Sequence, residues 1–254
     1  MENYVETGTD KTPSKFDFGP VNTYLSKNYV DGLRLRMAGR TTAALHPHLF
    51  WDGYGAYGTG SGKWYYGSTL TYSLNKKKHS PFEFPQRNIV FESSYDVMSP
   101  SDVNLIHNKD NVFMTLRANT QNEMYFYNRQ KFYFNYETDW GLRLNMGLQT
   151  ESNRTAGQLH YYHLDGTESY RLRKSDVQIG IRWNPGVSYV NTKQQRIPVN
   201  LDSPELSLNH SMGLKGFLGG QFQSNVTTFS FYKRQWLGSW GNIDLHGTAK
   251  AQWN

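Results

Sequence analysis

The chain contains no cysteine, which excludes disulfides and structural zinc sites built on thiolates. It also lacks any apolar run of about 18 residues, so the sequence excludes a transmembrane helix. Residues 1–16 have no apolar core of the kind found in secretory signals. We therefore expect either a cytosolic protein or a segment of a longer precursor. Aromatic residues, in contrast, are abundant, with 18 Tyr, 14 Phe and 7 Trp, and such a composition argues against a disordered chain.

The length of 254 residues suits one large domain or two small ones. The net charge is +6, and a basic chain raises the question of nucleic-acid binding. Here the basic residues are distributed along alternating segments and are not gathered into one stripe, so we expect no nucleic-acid partner.

Alternation of apolar and polar residues with a period of two dominates the sequence and predicts β-strands. In the segment GLRLRM, residues 32–37, leucine and methionine alternate with arginine. The segments 140–149 and 177–183 alternate in the same way. We predict an all-β, antiparallel meander of about ten strands without an amphipathic helix. Residues 98–117 are less regular and are interpreted as a loop or a short helix.

Two folds accommodate such strands. In a soluble β-sandwich the apolar face packs inward and the arginines meet water. In an outer-membrane β-barrel the apolar face meets lipid and the arginines line a wet interior. Several predicted strands approach or exceed ten residues, which is longer than a typical strand and matches the length that crosses a bilayer. Tyrosine and tryptophan near the strand ends also favour the transmembrane barrel. The alternative is a soluble β-sandwich that binds carbohydrate through exposed aromatic rings.

The barrel interpretation assigns each alternating residue to a face. An arginine on the lipid side at the middle of the bilayer would cost about 2–4 kcal/mol, so the register is strongly constrained. We expect the arginines to pair with acidic residues and tyrosines of neighbouring strands. The predicted lumen-lining residues are Arg34, Arg36, Arg143 and Arg182. The predicted lipid-facing residues are Leu33, Leu35, Met37, Leu142, Leu144, Ile179 and Ile181.

No motif in the sequence predicts catalysis or a bound cofactor. The segment GYGAYG, residues 53–58, has the glycine spacing of a dinucleotide-binding turn, but a strand-like segment follows where a helix is required. The neighbouring GTGSGK, residues 58–63, lacks the first glycine and the Ser/Thr of a phosphate loop. Carboxylates and histidines are scattered without the spacing of a glycosidase or a metal site. We therefore expect a non-enzymatic protein with no cofactor and no metal.

Residues 16–254 resemble an outer-membrane family of unknown function whose members carry a barrel after a carboxypeptidase-like regulatory domain. The most specific block is N-x-V-x-G-x-R-L-R, residues 28–36, followed by GYGAYGT and KWYYG. The dipeptides GP at 19–20 and FP at 84–85 fit the same pattern, as do IRWNPG and RIPVNLDSPELSLNHSMGLKG. The family is similar in architecture to the surface-antigen superfamily of barrels.

This resemblance implies a location in the outer membrane of Gram-negative bacteria. The implied partners are the lipid bilayer and, during biogenesis, the barrel-assembly machinery. The family normally continues for several strands beyond the last residue of this chain and carries a regulatory domain before the barrel. We therefore expect residues 1–15 to be a linker or disordered lead-in and residues 16–254 to be a partial barrel. The resemblance leaves the role among transport, assembly and surface structure open.

Overall fold

A computed structural model describes residues 4–7, 13–100, 122–162, 166–193 and 195–253. Seventeen strands are present in these ranges. They are β1 Val5–Glu6, β2 Phe16–Phe18, β3 Leu25–Asn28, β4 Gly32–Thr41, β5 Leu49–Gly58, β6 Lys63–Ser73, β7 Arg87–Met98, β8 Glu123–Glu137, β9 Leu142–Gly157, β10 Tyr161–Tyr162, β11 Glu168–Ser169, β12 Arg171–Trp183, β13 Tyr189–Asn191, β14 Arg196–Pro198, β15 Glu205–Gly213, β16 Ser224–Trp236 and β17 Asn242–Trp253. The helical turns in these ranges are short 3-10 segments at Val21–Thr23, Phe217–Gly219 and Gly238–Trp240.

One antiparallel sheet of 13 strands contains nearly all the described strands. Its order is β1-β2-β4-β5-β6-β7-β8-β9-β12-β15-β16-β17, and β3 also pairs with β4. Neighbours in the sheet are mostly neighbours in sequence, as in a meander, because a short turn suffices to join two antiparallel strands. Two small hairpins, β10–β11 and β13–β14, lie within the longer connections. The all-β antiparallel meander predicted from the sequence is confirmed.

Ten of the described strands have nine or more residues. The longest are β8 and β9, with 15 and 16 residues. Within the predicted lead-in, Val5 and Glu6 form β1 and pair with Phe18 and Asp17 of β2. Most of the predicted loop or short helix at 98–117 lies outside the described residues.

The sheet curves toward one of its faces. Asp17 on β2, Arg40 on β4 and Arg143 on β9 line the same cavity. Five strand intervals separate β4 from β9, a span of about 24 Å in a flat sheet at the usual strand spacing. The strands must therefore bend round for these side chains to surround one space. The first and last strands of the sheet, β1 and β17, are not paired with each other, so the sheet is open.

Among the described residues, the buried apolar core cluster is small and lies at one end of strands β5–β9. It consists of Ala56, Tyr65, Val97, Met124 and Ala156. Most other large apolar side chains are exposed, including those of β9 and β12. Among the described residues, no helix has the length and apolar composition needed to cross a membrane.

Candidate functional site: the polar face of the sheet

The two faces of the sheet have opposite chemistry, and strand β4 illustrates this. Arg34 is fully buried and Arg36 is 8% exposed, whereas Leu35 is 51% and Met37 77% exposed. Successive residues of a strand point to opposite faces, so the arginines share one face and the apolar residues share the other. We call these the polar face and the apolar face. On β4, the face that carries the arginines is buried and the face that carries Leu35 and Met37 is exposed.

The other predicted residues follow the same division. Arg143 and Arg182 lie directly opposite each other on β9 and β12, as do Leu144 and Ile181 one residue away. Arg143 is half-buried on the polar face, while the side chain of Arg182 is half exposed. The apolar residues Leu33, Leu142 and Ile179 lie on the apolar face with Leu35, Met37, Leu144 and Ile181. All seven are exposed except Leu142, which is half-buried. Whether the two faces meet a lumen and lipid stays a prediction.

Arg34 lies at the centre of a buried ion cluster. Its guanidinium contacts both carboxylate oxygens of Asp96, at 2.8 and 2.9 Å, and one oxygen of Asp31 at 3.2 Å. Tyr65 donates a hydrogen bond to Asp31, and its ring lies 4.7 Å from the guanidinium of Arg34. Tyr54 donates to Asp96 at 2.6 Å. Charges withdrawn from water in this way are stable only when they are paired and hydrogen-bonded.

Two further arginines of β4 are held by aromatic rings. The guanidinium of Arg36 lies 4.1 Å from the ring centre of Tyr54, and that of Arg40 lies 3.8 Å from the ring of Tyr4. Arg40 also forms an ion pair of 3.2 Å with Asp17. Cation–π contacts of this kind stabilise a partly desolvated arginine.

A ladder of asparagine side chains crosses several strands of the polar face. Asn135 donates a hydrogen bond to Asn88 at 2.8 Å, and Asn145 donates to Asn135. The next position in this row is Gly180, where an added Cβ would meet the amide oxygen of Asn209 at 2.5 Å. The glycine thus leaves room for the amide of the following strand. The row presents amide donors and acceptors across β7, β8, β9 and β15.

The β13–β14 hairpin lies across the polar face. Arg196 forms an ion pair of 2.6 Å with Glu137 of β8, and Asn191 accepts a hydrogen bond from the backbone N–H of Phe84. The rings of Tyr189 and Phe84 are 5.1 Å apart. At its tip, Lys193 contacts Glu6 of the first strand at 3.2 Å. These contacts connect the hairpin to β8, to the connection between β6 and β7, and to β1.

The connection between β6 and β7 contains a buried lysine. Lys77 donates hydrogen bonds of 2.7 Å to the backbone carbonyls of Glu83 and Pro85. Burial lowers the pKa of Lys77 to about 8, because water no longer stabilises the ammonium, while Glu83 and Glu137 oppose this shift. The Glu83 carboxylate in turn accepts hydrogen bonds from the backbone N–H groups of residues 78–80. The lysine and the glutamate therefore fix the path of this connection.

Two cavities lie on the polar face. One has a volume of about 540 Å³ and is lined by residues of β7, β8, β9, β12, β15 and β16. The other, of about 620 Å³, lies beside the β13–β14 hairpin, which contributes Lys193 and Gln195 to its wall. Glu92, Tyr133, Asn135 and Arg143 line both cavities. The polar face therefore has room for a ligand next to fixed charges and amides.

Sequence reasoning identified the arginines of this face but not the residues that hold them. The partners Asp31 and Asp96 lie 3 positions before and 62 positions after Arg34. Asp31 could have been found, because it stands within the 28–36 block that carries the resemblance. The contribution of Arg196 had no signal in the sequence, because it depends on how the hairpin folds back. Among the described residues, no group of acidic residues and histidines is arranged to hold a metal ion.

These features define an all-β domain built on one open antiparallel meander with a polar and an apolar face. The family model described as "Family of unknown function (DUF5686) C-terminal domain" matches residues 3–249. The match covers nearly the whole sequence, and the chain belongs to this family. A comparison with curated proteins finds no match.

Proposed function

We propose that this chain forms part of the wall of an outer-membrane β-barrel, with the polar face lining the interior and the apolar face against lipid. In this proposal it has no catalytic role and acts in transport, assembly or surface structure. The lipid bilayer is its main partner, and the barrel-assembly machinery is a second partner during biogenesis.

The observation that carries the proposal is the reversed burial of the two faces. In a water-soluble sheet the apolar face is packed against another layer and the charged face is solvated. Here Arg34 and Asp96 are fully buried, while Leu35 and Ile179 are exposed. A sheet that covers its charges and exposes its aliphatic side chains is suited to an apolar solvent. A soluble carbohydrate-binding sandwich would need the opposite arrangement.

The tryptophans add independent support. All seven are more than two fifths exposed, and each lies in a turn or within three residues of a strand end. They are Trp51, Trp64, Trp140, Trp183, Trp236, Trp240 and Trp253. An indole ring is favoured at the boundary between lipid and water, because its body is apolar and its N–H is polar. A sugar site would instead group several of these rings in one concave region.

The state of the carboxylates on the polar face favours a non-catalytic role. Asp96, Glu137 and Glu151 are each held in an ion pair with an arginine of 2.5–2.8 Å. A general base or nucleophile needs a carboxylate that is free to approach a substrate. These groups act as counter-charges in the proposed interior.

Nitroxide labelling tests the proposal directly, because a chain without cysteine can be labelled at any single introduced site. Ile179→Cys and Leu144→Cys place the label on the apolar face, and Gln178→Cys places it on the polar face. In liposomes, we expect the first two labels to be relaxed mainly by oxygen, which concentrates in lipid. We expect the third to be relaxed mainly by a water-soluble nickel chelate.

Ser239→Cys, in the turn between β16 and β17, serves as the control for a water-exposed label. If the labels at 179 and 144 respond to the nickel chelate as strongly as the label at 239, the apolar face is in water and the proposal is wrong. Equal oxygen accessibility at 178 and 179 would contradict the assignment of faces.

A further inference from the structure

On the polar face, the glutamate directly across from Arg143 pairs with a different arginine. In the pairing of β8, β9 and β12, Arg143 lies between Glu137 and Arg182. An acidic residue directly across from an arginine normally pairs with it. Glu137 instead binds Arg196 of the β13–β14 hairpin at 2.6 Å and the backbone N–H of Gln86 at 2.8 Å. The hairpin therefore binds the carboxylate that lies directly across from Arg143 in the sheet.

The other neighbour of Arg143 makes its surroundings more positive. Two like charges directly opposite each other on adjacent strands destabilise the sheet. Arg182 is turned to Glu205, at 3.4 Å, which offsets only part of this repulsion. Arg196 and Arg182 both add positive potential at Arg143, and Glu137 opposes them. This group of side chains therefore carries one excess positive charge. It contains three arginines, Arg143, Arg182 and Arg196, and two glutamates, Glu137 and Glu205.

The side chain of Arg143 is also incompletely satisfied. Its Nε is buried and has no hydrogen-bond partner among the described residues. A buried donor without a partner costs free energy, and a guanidinium has five N–H donors arranged in a planar fork. Such a group is suited to bind two oxygens of a carboxylate, sulfate or phosphate.

There is space for an anion at this position. Arg143 lines both the cavity of about 540 Å³ and the cavity of about 620 Å³. Asn145 and Gln178 line the first of these, beside Arg143, and their amides can bind hydroxyl groups. The site thus combines an arginine whose Nε has no partner among the described residues with neutral amides and open volume, beside a Glu92–Lys131 ion pair of 3.7 Å.

We propose that Arg143 binds an oxyanion within the cavity on the polar face. The shared chemistry of the ligand is a planar or tetrahedral oxyanion, either free in solution or as the acidic group of an oligosaccharide. The β13–β14 hairpin creates the site by holding Glu137 away from Arg143. This proposal does not depend on what covers the apolar face, so it can fail or succeed independently of the barrel proposal.

Calorimetric titration of the protein in a neutral detergent at low ionic strength tests the site. The probes are sodium sulfate for a free oxyanion, a trimer of galacturonic acid for an acidic oligosaccharide, and maltotriose as the neutral sugar. Binding of either acidic probe, with maltotriose at least about tenfold weaker, is expected, since hydrogen bonds between charged groups are stronger than those to a neutral hydroxyl. Tighter binding of the trimer than of sulfate identifies the saccharide as the source.

The variants locate the site on named residues. Arg143→Gln should weaken binding about tenfold or more, and Arg143→Lys, which keeps the charge but not the fork, should weaken it to a smaller extent. Arg196→Gln should also weaken binding, because Glu137 becomes free to neutralise Arg143. Adding Glu137→Gln to Arg196→Gln should restore most of the affinity, which a merely structural role of Arg196 does not explain.

Arg234→Gln is the matched control. It removes the same charge from an arginine whose guanidinium is already paired with both oxygens of Asp244, at 2.6 Å each. Its affinity should equal that of the unmodified protein. The proposal is overturned if neither acidic probe binds, or if Arg143→Gln binds as well as the unmodified protein with an unchanged circular dichroism spectrum. An equal loss in Arg234→Gln would overturn it too, by showing an unspecific effect of charge.

Discussion

Arg34 and Asp96 form an ion pair of 2.8 Å although strands β5 and β6 separate the strands that carry them. In a flat sheet their backbones would be about 14 Å apart, given a spacing of about 4.8 Å between strands. Only a sheet that bends toward its polar face brings the two side chains together. The formation of this pair therefore depends on the curvature of the sheet between β4 and β7.

We expect Asp96→Asn to destabilise the protein strongly. The substitution keeps the shape of the side chain but removes a buried carboxylate that contacts the guanidinium of Arg34 through both oxygens and accepts a hydrogen bond from Tyr54. Removing one partner of a buried ion pair typically costs about 3–5 kcal/mol. Unfolding by urea in detergent micelles, followed by tryptophan fluorescence, measures the loss. Asp244→Asn, which breaks an exposed pair with Arg234, should change the midpoint little. Equal effects of the two substitutions would show that the cluster around Arg34 contributes no special stability.

A second prediction concerns the turn between β8 and β9. Gly141 has φ of +90°, and an added Cβ would lie 2.0 Å from the carbonyl oxygen of Asn184. Both the backbone conformation and the contact exclude a side chain there. We expect Gly141→Ala to cost about 1–3 kcal/mol, from thermal unfolding. Gly55→Ala is the control, because no atom lies within 4 Å of its added Cβ. If Gly141→Ala unfolds at the same temperature as Gly55→Ala, the turn must adopt another conformation.

The division of the strands into two faces could be predicted from the sequence, because it depends only on local geometry. A strand has a period of two, so the alternation of Leu35 with Arg34 and Arg36 assigns them to opposite faces without knowledge of the partners. The same argument predicted that Ile179 and Ile181 share a face. The meander followed from the succession of such strands with short turns.

The contacts across the polar face could not be predicted in this way. The pairing of Arg34 with Asp96 depends on curvature, which arises from all the strands between them. The choice of Glu137 between Arg143 and Arg196 depends on a hairpin that folds back from a connection of 21 residues, 184–204. Alternation contains no information about where such a connection goes, because its own residues are not part of the sheet.

The buried lysine gives a prediction for pH dependence. The pKa of Lys77 is lowered to about 8 in the folded protein, from the usual value of about 10.4. Between these values the unfolded chain binds the proton and the folded protein does not. Stability therefore rises with pH in this window, since the folded state no longer bears the cost of a buried ammonium. Below about pH 8 both states are protonated and the cost is fully present.

Lys77→Met should remove this dependence, because it keeps the length of the side chain without the charge. We expect the melting temperature of Lys77→Met, relative to that of the unmodified protein, to be highest near pH 7 and to fall by pH 10, whatever the constant cost of the two lost hydrogen bonds. Other groups titrate in the same range but cancel in the comparison. Lys76→Met, at the exposed neighbouring position, should show no such trend. A constant difference across this range would mean that Lys77 is not deprotonated in the folded protein.

The last prediction compares the same new residue on the two faces of one strand. Ile179 is exposed on the apolar face of β12, and Gln178 is exposed beside it on the polar face. In a bilayer, Ile179→Arg would place a charge against lipid at a cost of about 2–4 kcal/mol near the midplane. Gln178→Arg would place the same charge in a wet interior at little cost. We therefore expect Ile179→Arg to reduce the folded fraction recovered from membranes, measured by the heat-modifiable mobility of the protein in gels.

In water, Ile179→Arg would no longer be the more harmful of the two substitutions. An isoleucine that is 42% exposed makes few contacts that an arginine cannot replace, so Ile179→Arg would be close to neutral in a soluble protein. It would even improve solubility, because it interrupts an exposed apolar surface. Gln178→Arg adds its charge to the exposed polar face in either environment, at little cost. Equal recovery of the two folded variants would therefore contradict the membrane proposal, because the exposed apolar face would then tolerate a charge as well as the polar face does.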